Sequence, residues 1–230
     1  MSKLLISLFL ILILGIALGS TVNSSVNISE VLETEDQKDS QANTEWRENL
    51  DSKEPVEATF AGGCFWCIEA VYENEKGIES AVSGYTGGKE STATYDQVLI
   101  GDTDHREAVR VNYYPSVISY EELLDMYWKS INPTDEGGQF SDRGYQYTTA
   151  IYTHNDKQYS LAKASKENLS ESGKFEEEIV TEVLNASEFY RAESKHQNYS
   201  EKNTLQYKAY EQASGRKGFV ERVWEKSPIS

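Results

Sequence analysis

The sequence predicts an α+β domain, a two-layer α/β sandwich with a mixed central sheet and helices packed on it. Strand-like and helix-like segments interleave from Val56 to Tyr210 without a strict βα repeat, so an all-parallel sheet is not expected. The clearest strand, Glu107 to Tyr114, alternates its apolar residues (Val109, Val111, Tyr113) and stops at Pro115. Roughly 170 residues have globular composition, which suits one domain with a real core and leaves too little for two.

The elements follow in chain order. Lys3 precedes an apolar run, Leu4 to Leu18, interrupted only by Ser7 and Gly15, with small residues Gly19 and Ser20 after it. That pattern reads as a secretory signal or an uncleaved membrane anchor over residues 1–20, with export to the cell envelope or beyond as the expected localisation. Residues 21–54 carry nine acidic and three basic side chains and no hydrophobic period, as a disordered acidic linker does. A domain is expected over residues 55–226, followed by a tail at 227–230.

Within the domain, Val56 to Phe60 reads as a strand, Gly62-Gly63 as a turn, and Phe65 to Tyr72 as a helix. Ala81 to Tyr85 and Tyr95 to Ile100 read as short strands on either side of Thr86-Gly87-Gly88. Ser119-Tyr120-Glu121-Glu122 is a capping box opening a helix with Leu123, Leu124, Tyr127, Trp128 and Ile131 on one face. Residues 134–144 form a glycine-rich loop. Tyr147 to Thr153 reads as a strand, and Asn155 as the cap of a helix ending near Gly173. Ile179 to Leu184 is a further strand, Phe189 to Tyr199 an aromatic, polar loop, and a last helix holds Leu205 and Tyr210.

Composition limits the function. A net charge of −16 argues against nucleic-acid binding. Two cysteines and three histidines (His105, His154, His196) supply few soft metal ligands, and the paired histidine spacing of a zinc finger is absent, so no metal is expected.

Both cysteines lie in Gly62-Gly63-Cys64-Phe65-Trp66-Cys67. A pair three apart closes almost no chain, so a purely structural disulfide would gain little there. Simple burial of both thiols is the bland alternative. A strand, a glycine turn and a helix place Cys64 at a helix N-terminus, where free N–H groups lower a thiol pKa. Glu107 stands at the start of a strand beside apolar Ala108 and Val109. If drawn into the domain its pKa rises and it can donate a proton near neutrality; otherwise it is a solvated strand-end carboxylate. Asp142 and Tyr147 flank Gly144, and with Tyr95 read equally well as turn and core residues.

Six segments occur in one order: Gly62–Cys67, Ser83–Gly88, Thr94-Tyr95, His105–Val109, Asp142–Tyr147 and Phe189–Gln197. Together they resemble the peptide methionine sulfoxide reductase A family over residues 56–224, in its G-C-F-W-C subgroup. The resemblance implies that family's ferredoxin-like core and its reaction, thiol-dependent reduction of methionine S-sulfoxide to methionine in the repair of oxidised proteins. It implies Cys64 as nucleophile and Glu107 as the acid that protonates the sulfoxide oxygen. Tyr95 and Tyr147 would hydrogen-bond that oxygen, Phe65 and Trp66 would form the methyl pocket, and Asp142 would position the substrate backbone. A Cys64 sulfenic acid would condense with Cys67, and the disulfide would be recycled by an external dithiol of thioredoxin type, with no bound cofactor. A monomer is expected, tethered to a membrane if residues 4–18 are retained. Asp104, Thr148 and Lys195 depart from the usual family residues without touching a proposed catalytic atom. Two rivals remain at this point: a thiol–disulfide oxidoreductase, suggested by the C-x-x-C spacing, and an inactive surface module.

Overall fold

A computed structural model describes residues 54–225; the apolar run, all of the linker but Glu54, and residues 226–230 lie outside the described residues. A mixed six-stranded sheet runs in the order β7-β6-β1-β3-β2-β8. Its long members are β1 (Val56–Gly62), β2 (Ile78–Thr86), β3 (Arg106–Tyr113) and β6 (Thr149–Thr153). β1 pairs antiparallel with both β3 and β6, and β2 antiparallel with β3. The edges are the short β8 (Phe189–Arg191), antiparallel to β2, and β7 (Glu182–Asn185), parallel to β6. A two-stranded ribbon, β4 (Gly138–Gln139) with β5 (Asp142–Arg143), stands apart.

The helices follow from local signals. α1 (Phe65–Tyr72) starts directly after the glycine turn. α3 (Tyr120–Ser130) opens on a reciprocal capping box, with Ser119 Oγ accepting from the Glu122 N–H and the Glu122 carboxylate accepting from the Ser119 N–H. Asn155 caps α4 (Asp156–Glu171) through its side-chain oxygen. The C-terminal α6 (Thr204–Ser214) and α7 (Arg216–Val220) meet at Gly215, whose φ of 88° needs a residue tolerant of the left-handed region.

Strand period divides the two faces of the sheet. Ala58 and Phe60 of β1, with Val109, Val111 and Tyr113 of β3, join the main core with α1 and α3. Phe60 stacks on Tyr72 and on Tyr127, with ring centroids 5.3 and 5.2 Å apart. Their phenols are satisfied: Tyr72 donates to the Leu123 carbonyl and Tyr127 to that of Ala61. Ala61, Ala108, Ala150 and Tyr152 form a smaller cluster. Glu107 has the same parity as Val109, so strand period alone points it to the core face.

Three expectations are corrected. Tyr95–Ile100 is a helix, α2, closed by Gly101 at φ 86°, and only Val98 of its apolar residues is buried. The Phe189–Tyr199 loop contains edge strand β8, a 3-10 turn at Ser194–His196 and the start of a short helix, α5 (Tyr199–Lys202). The strands expected at 147–153 and 179–184 begin later, at Thr149 and Glu182, with Tyr147 in a 3-10 turn before β6.

Candidate active site

β1 delivers Gly62 and Gly63 to the start of α1. Gly63 has φ 86°, and a Cβ there would lie 2.6 Å from that of Gln139, so side chains are excluded on two counts. The turn leaves Cys64 at the N-cap and Phe65 as the first helical residue. The Phe65 N–H, one of the helix's unpaired donors, donates to Glu107 Oε2 at 2.9 Å. One hydrogen bond thus ties the acid on β3 to the residue beside the nucleophile.

Glu107 is 3% exposed. Burial pushes its pKa up to about 8; the Phe65 N–H opposes the rise, and Asp142 adds to it. The carboxyl is therefore mostly protonated at neutral pH. It lines a cavity of about 220 Å³ with Cys64, Phe65, Trp66, Tyr95, Leu99, Asp142, Tyr147 and Tyr210. Eight of these nine come from four separate stretches of chain, and seven are residues singled out from the sequence.

The phenols of Tyr95 and Tyr147 are held protonated, first by burial and, once Glu107 ionises at higher pH, by its charge as well. Tyr95 opens α2, and its N–H donates to Glu193 Oε1. Its ring stacks on buried His196 at 4.3 Å, and the Lys195 ammonium sits 5.5 Å over it. Lys195 thus stands over the ring of Tyr95. Thr148, by contrast, accepts from Arg106 Nε. The Phe65 and Trp66 rings stand 6.1 Å apart, and Trp66 lies flat on Tyr199 at 3.9 Å. These contacts fix the apolar wall in one orientation.

Cys64 and Cys67 are both free and buried, and their thiols hydrogen-bond each other. The expectation of a depressed Cys64 pKa is corrected. Burial pushes the Cys64 thiol well up, and the neighbouring Cys67 adds to the rise. The dipole of an eight-residue helix does not outweigh that desolvation, and its first N–H already serves Glu107. Cys67 moves the other way. The hydrogen bond from Cys64 lowers it, burial opposes, and the Arg216 charge lowers it further. Cys67 does not line the cavity that holds Glu107. It faces a larger cleft of about 500 Å³ with Tyr207, Glu211 and Arg216.

Sequence reasoning missed Tyr210, whose hydroxyl donates to Asp142 Oδ2 and whose ring meets Trp66 edge-on at 6.2 Å. It also missed Arg216. Both stand on C-terminal helices whose amphipathic pattern gave no sign of a site. His196 lay within a quoted segment, but its contact with Tyr95 and the Phe65–Trp66 wall comes only from the fold.

A protonated carboxyl and two phenols around one cavity can donate to an oxygen that is to be removed. A thiol beside them can take that oxygen, and two aromatic walls suit a small alkyl group. The fold and site define a thiol-dependent reductase. The chain belongs to the peptide methionine sulfoxide reductase family, whose model matches residues 56–228. It is 52% identical over 167 residues to a peptide methionine sulfoxide reductase of Bacillus pumilus, covering 73% of this chain and 94% of that one. It is 45% identical over 175 residues to that of Listeria welshimeri, covering 76% and 99%. Among solved structures, reduced Mxr1 from Saccharomyces cerevisiae matches with a TM-score of 0.61 and 33% identity over 68% of this chain and 90% of that one. Methionine sulfoxide reductase A of Corynebacterium diphtheriae matches with 0.59 and 29%, over 67% and 78%.

Proposed function

We propose that this protein reduces methionine S-sulfoxide, in peptides and proteins, to methionine. The observation that carries the reading is Glu107, buried and protonated at neutral pH, in one cavity with Cys64, Tyr95 and Tyr147. Sulfoxide sulfur is a poor electrophile until its oxygen is protonated. Glu107 supplies that proton while the two phenols hold the oxygen, and Cys64 attacks the sulfur. Phe65 and Trp66 hold the S-methyl group, and Asp142 positions the substrate backbone. Cys64 is left as a sulfenic acid, which Cys67, the only other thiol, resolves to a disulfide. An external dithiol of thioredoxin type returns both to thiols by exchange, with no bound cofactor.

The apolar run at Leu4–Leu18 and the acidic linker support export, with the catalytic domain outside the cytoplasm and either released or anchored. The domain works as a monomer in repair of oxidised proteins.

The test offers reduced protein two peptides, one with each sulfoxide epimer, and chromatography follows methionine formed. Methionine should come from the S epimer alone, and Glu107→Gln should reduce its formation by a hundredfold or more, on the order of the loss expected for a general acid. Unchanged methionine formation in the variant would overturn the assignment of Glu107. A wild type that reduces neither epimer but exchanges protein disulfides would favour the thiol–disulfide oxidoreductase.

A further inference from the structure

We propose that Arg216 is the counter-ion of Cys67 and places the single negative charge of the cysteine pair on Cys67 rather than on the nucleophile. This rests on the reductase reading above, in which Cys67 resolves the oxidised Cys64.

Arg216 carries an unbalanced buried charge. Arg216 is 5% exposed. Its Nη1 donates to the Ser130 carbonyl and its Nη2 to the Gly62 carbonyl at 2.9 Å, and its guanidinium lies 4.7 Å over the Phe140 ring. Among the described residues no carboxylate lies within 4.0 Å of it, whereas Arg106 and Arg143 each have one. A buried cation with only neutral partners is costly, and buried charges are ordinarily matched by an opposite one. Of the ionisable groups that share its cleft, Cys67 is buried like Arg216, whereas Tyr207 and Glu211 are partly exposed. The Arg216 Nη2 lies under the Gly62–Cys64 turn, where a Cβ on Gly63 would come within 3.0 Å of it. The carboxylates of Glu211 and Asp142 oppose ionisation of Cys67. The Cys64 thiol and Arg216 favour it.

The placement gives Cys67 two roles. With the charge on Cys67, Cys64 rests as a thiol that donates to it. As Cys64 attacks the sulfoxide sulfur, its proton passes to Cys67 and Glu107 gives its proton to the oxygen. The hydroxyl then moves from the substrate sulfur to Cys64: the new bond between the two sulfurs and the substrate's sulfur–oxygen bond break, a Cys64 S–O bond forms, methionine leaves with the electron pair, and Cys64 is left as a sulfenic acid. Cys67 then attacks the Cys64 sulfur. The S–S bond forms, the S–O bond breaks, and the hydroxyl leaves as water with the proton Cys67 had taken. The two protons of that water come from Cys64 and Glu107, and the two electrons from the thiol pair.

The test reads Cys67 alone and needs no sulfoxide chemistry. In full-length Cys64→Ser protein the thiolate ultraviolet absorbance is followed against pH, and the same is done with Arg216→Gln and Arg216→Lys added. Glutamine keeps a donor for a backbone carbonyl and removes the charge; lysine restores the charge without the fork. The Cys67 midpoint should rise by about one unit or more in the glutamine variant, as when an opposite charge is removed from close range, and return most of the way with lysine. Equal midpoints in folded glutamine and parent proteins, judged by circular dichroism, would show a purely structural tie and overturn the proposal. Should the glutamine variant not fold, the parent decides: a Cys67 midpoint at or above the ordinary thiol range overturns it. Because no substrate is used, failure here leaves the reductase reading untouched, and failure of that reading leaves this result standing.

Discussion

Replacing Glu107 by Gln should make the protein more stable as well as inactive, and the gain should depend on pH in a defined way. In the folded chain burial holds the Glu107 pKa at about 8, against an ordinary value of 4.5. Between those values the unfolded chain is ionised and the folded chain is not, so the unfolded state binds fewer protons and stability falls as pH rises. Each unit costs about 1.4 kcal/mol. From pH 4.5 to about pH 7 that amounts to about 3 kcal/mol, and the loss levels off above about pH 8. Glutamine does not titrate, and its side-chain oxygen can still accept from the Phe65 N–H. Any packing difference adds an offset that does not vary with pH. Urea unfolding of both proteins between about pH 4.5 and 8 gives the difference directly. The variant should gain about 3 kcal/mol relative to wild type by about pH 7. A difference that stays constant across the range would mean Glu107 is ionised in the fold, and would remove the basis for calling it an acid.

Three further outcomes are expected. The single-turnover rate of methionine formation should fall about tenfold per unit as pH rises above about 8, because the acid form of Glu107 is lost there; a rate flat through that range contradicts its role. Tyr210→Phe removes the donor to Asp142, a charge-assisted bond worth about 1.5–3 kcal/mol, so KM for a sulfoxide peptide should rise about tenfold with less change in kcat. Gly84→Ala places a Cβ 2.4 Å from the Phe189 ring and the Tyr190 carbonyl, so β8 must shift from β2, and urea unfolding should show a loss of about 2 kcal/mol.

Much of this was legible in the chain. Ser119 and Asn155 announced α3 and α4 through caps, and Pro115 the end of β3. The glycine pair before Cys64 announced a turn that only residues without side chains can make. The resemblance picked out seven of the nine lining residues, and strand parity explains why Glu107 turns inward. What escaped has physical reasons. Leu99 and Ile100 read as strand interior, yet they are 47% and 72% exposed on a six-residue helix that Gly101 ends. β8 has only three residues, too few for a period to show. Tyr210 and Arg216 reach the site because α6 and α7 fold back against the start of α1, and no local pattern records a contact more than 140 residues distant. The sign of the Cys64 shift was misjudged because sequence shows a helix terminus but not the burial that overrides it.

The most direct measurement is one turnover without reductant. The protein is reduced, freed of reductant and given a peptide containing methionine S-sulfoxide, and mass spectrometry counts methionine and maps the protein. About one methionine per chain is expected, with the loss of two hydrogens as a bond between Cys64 and Cys67. Methionine formed with Cys67 still a free thiol would contradict the resolving role of Cys67. No methionine from a folded, fully reduced chain would contradict the reductase itself.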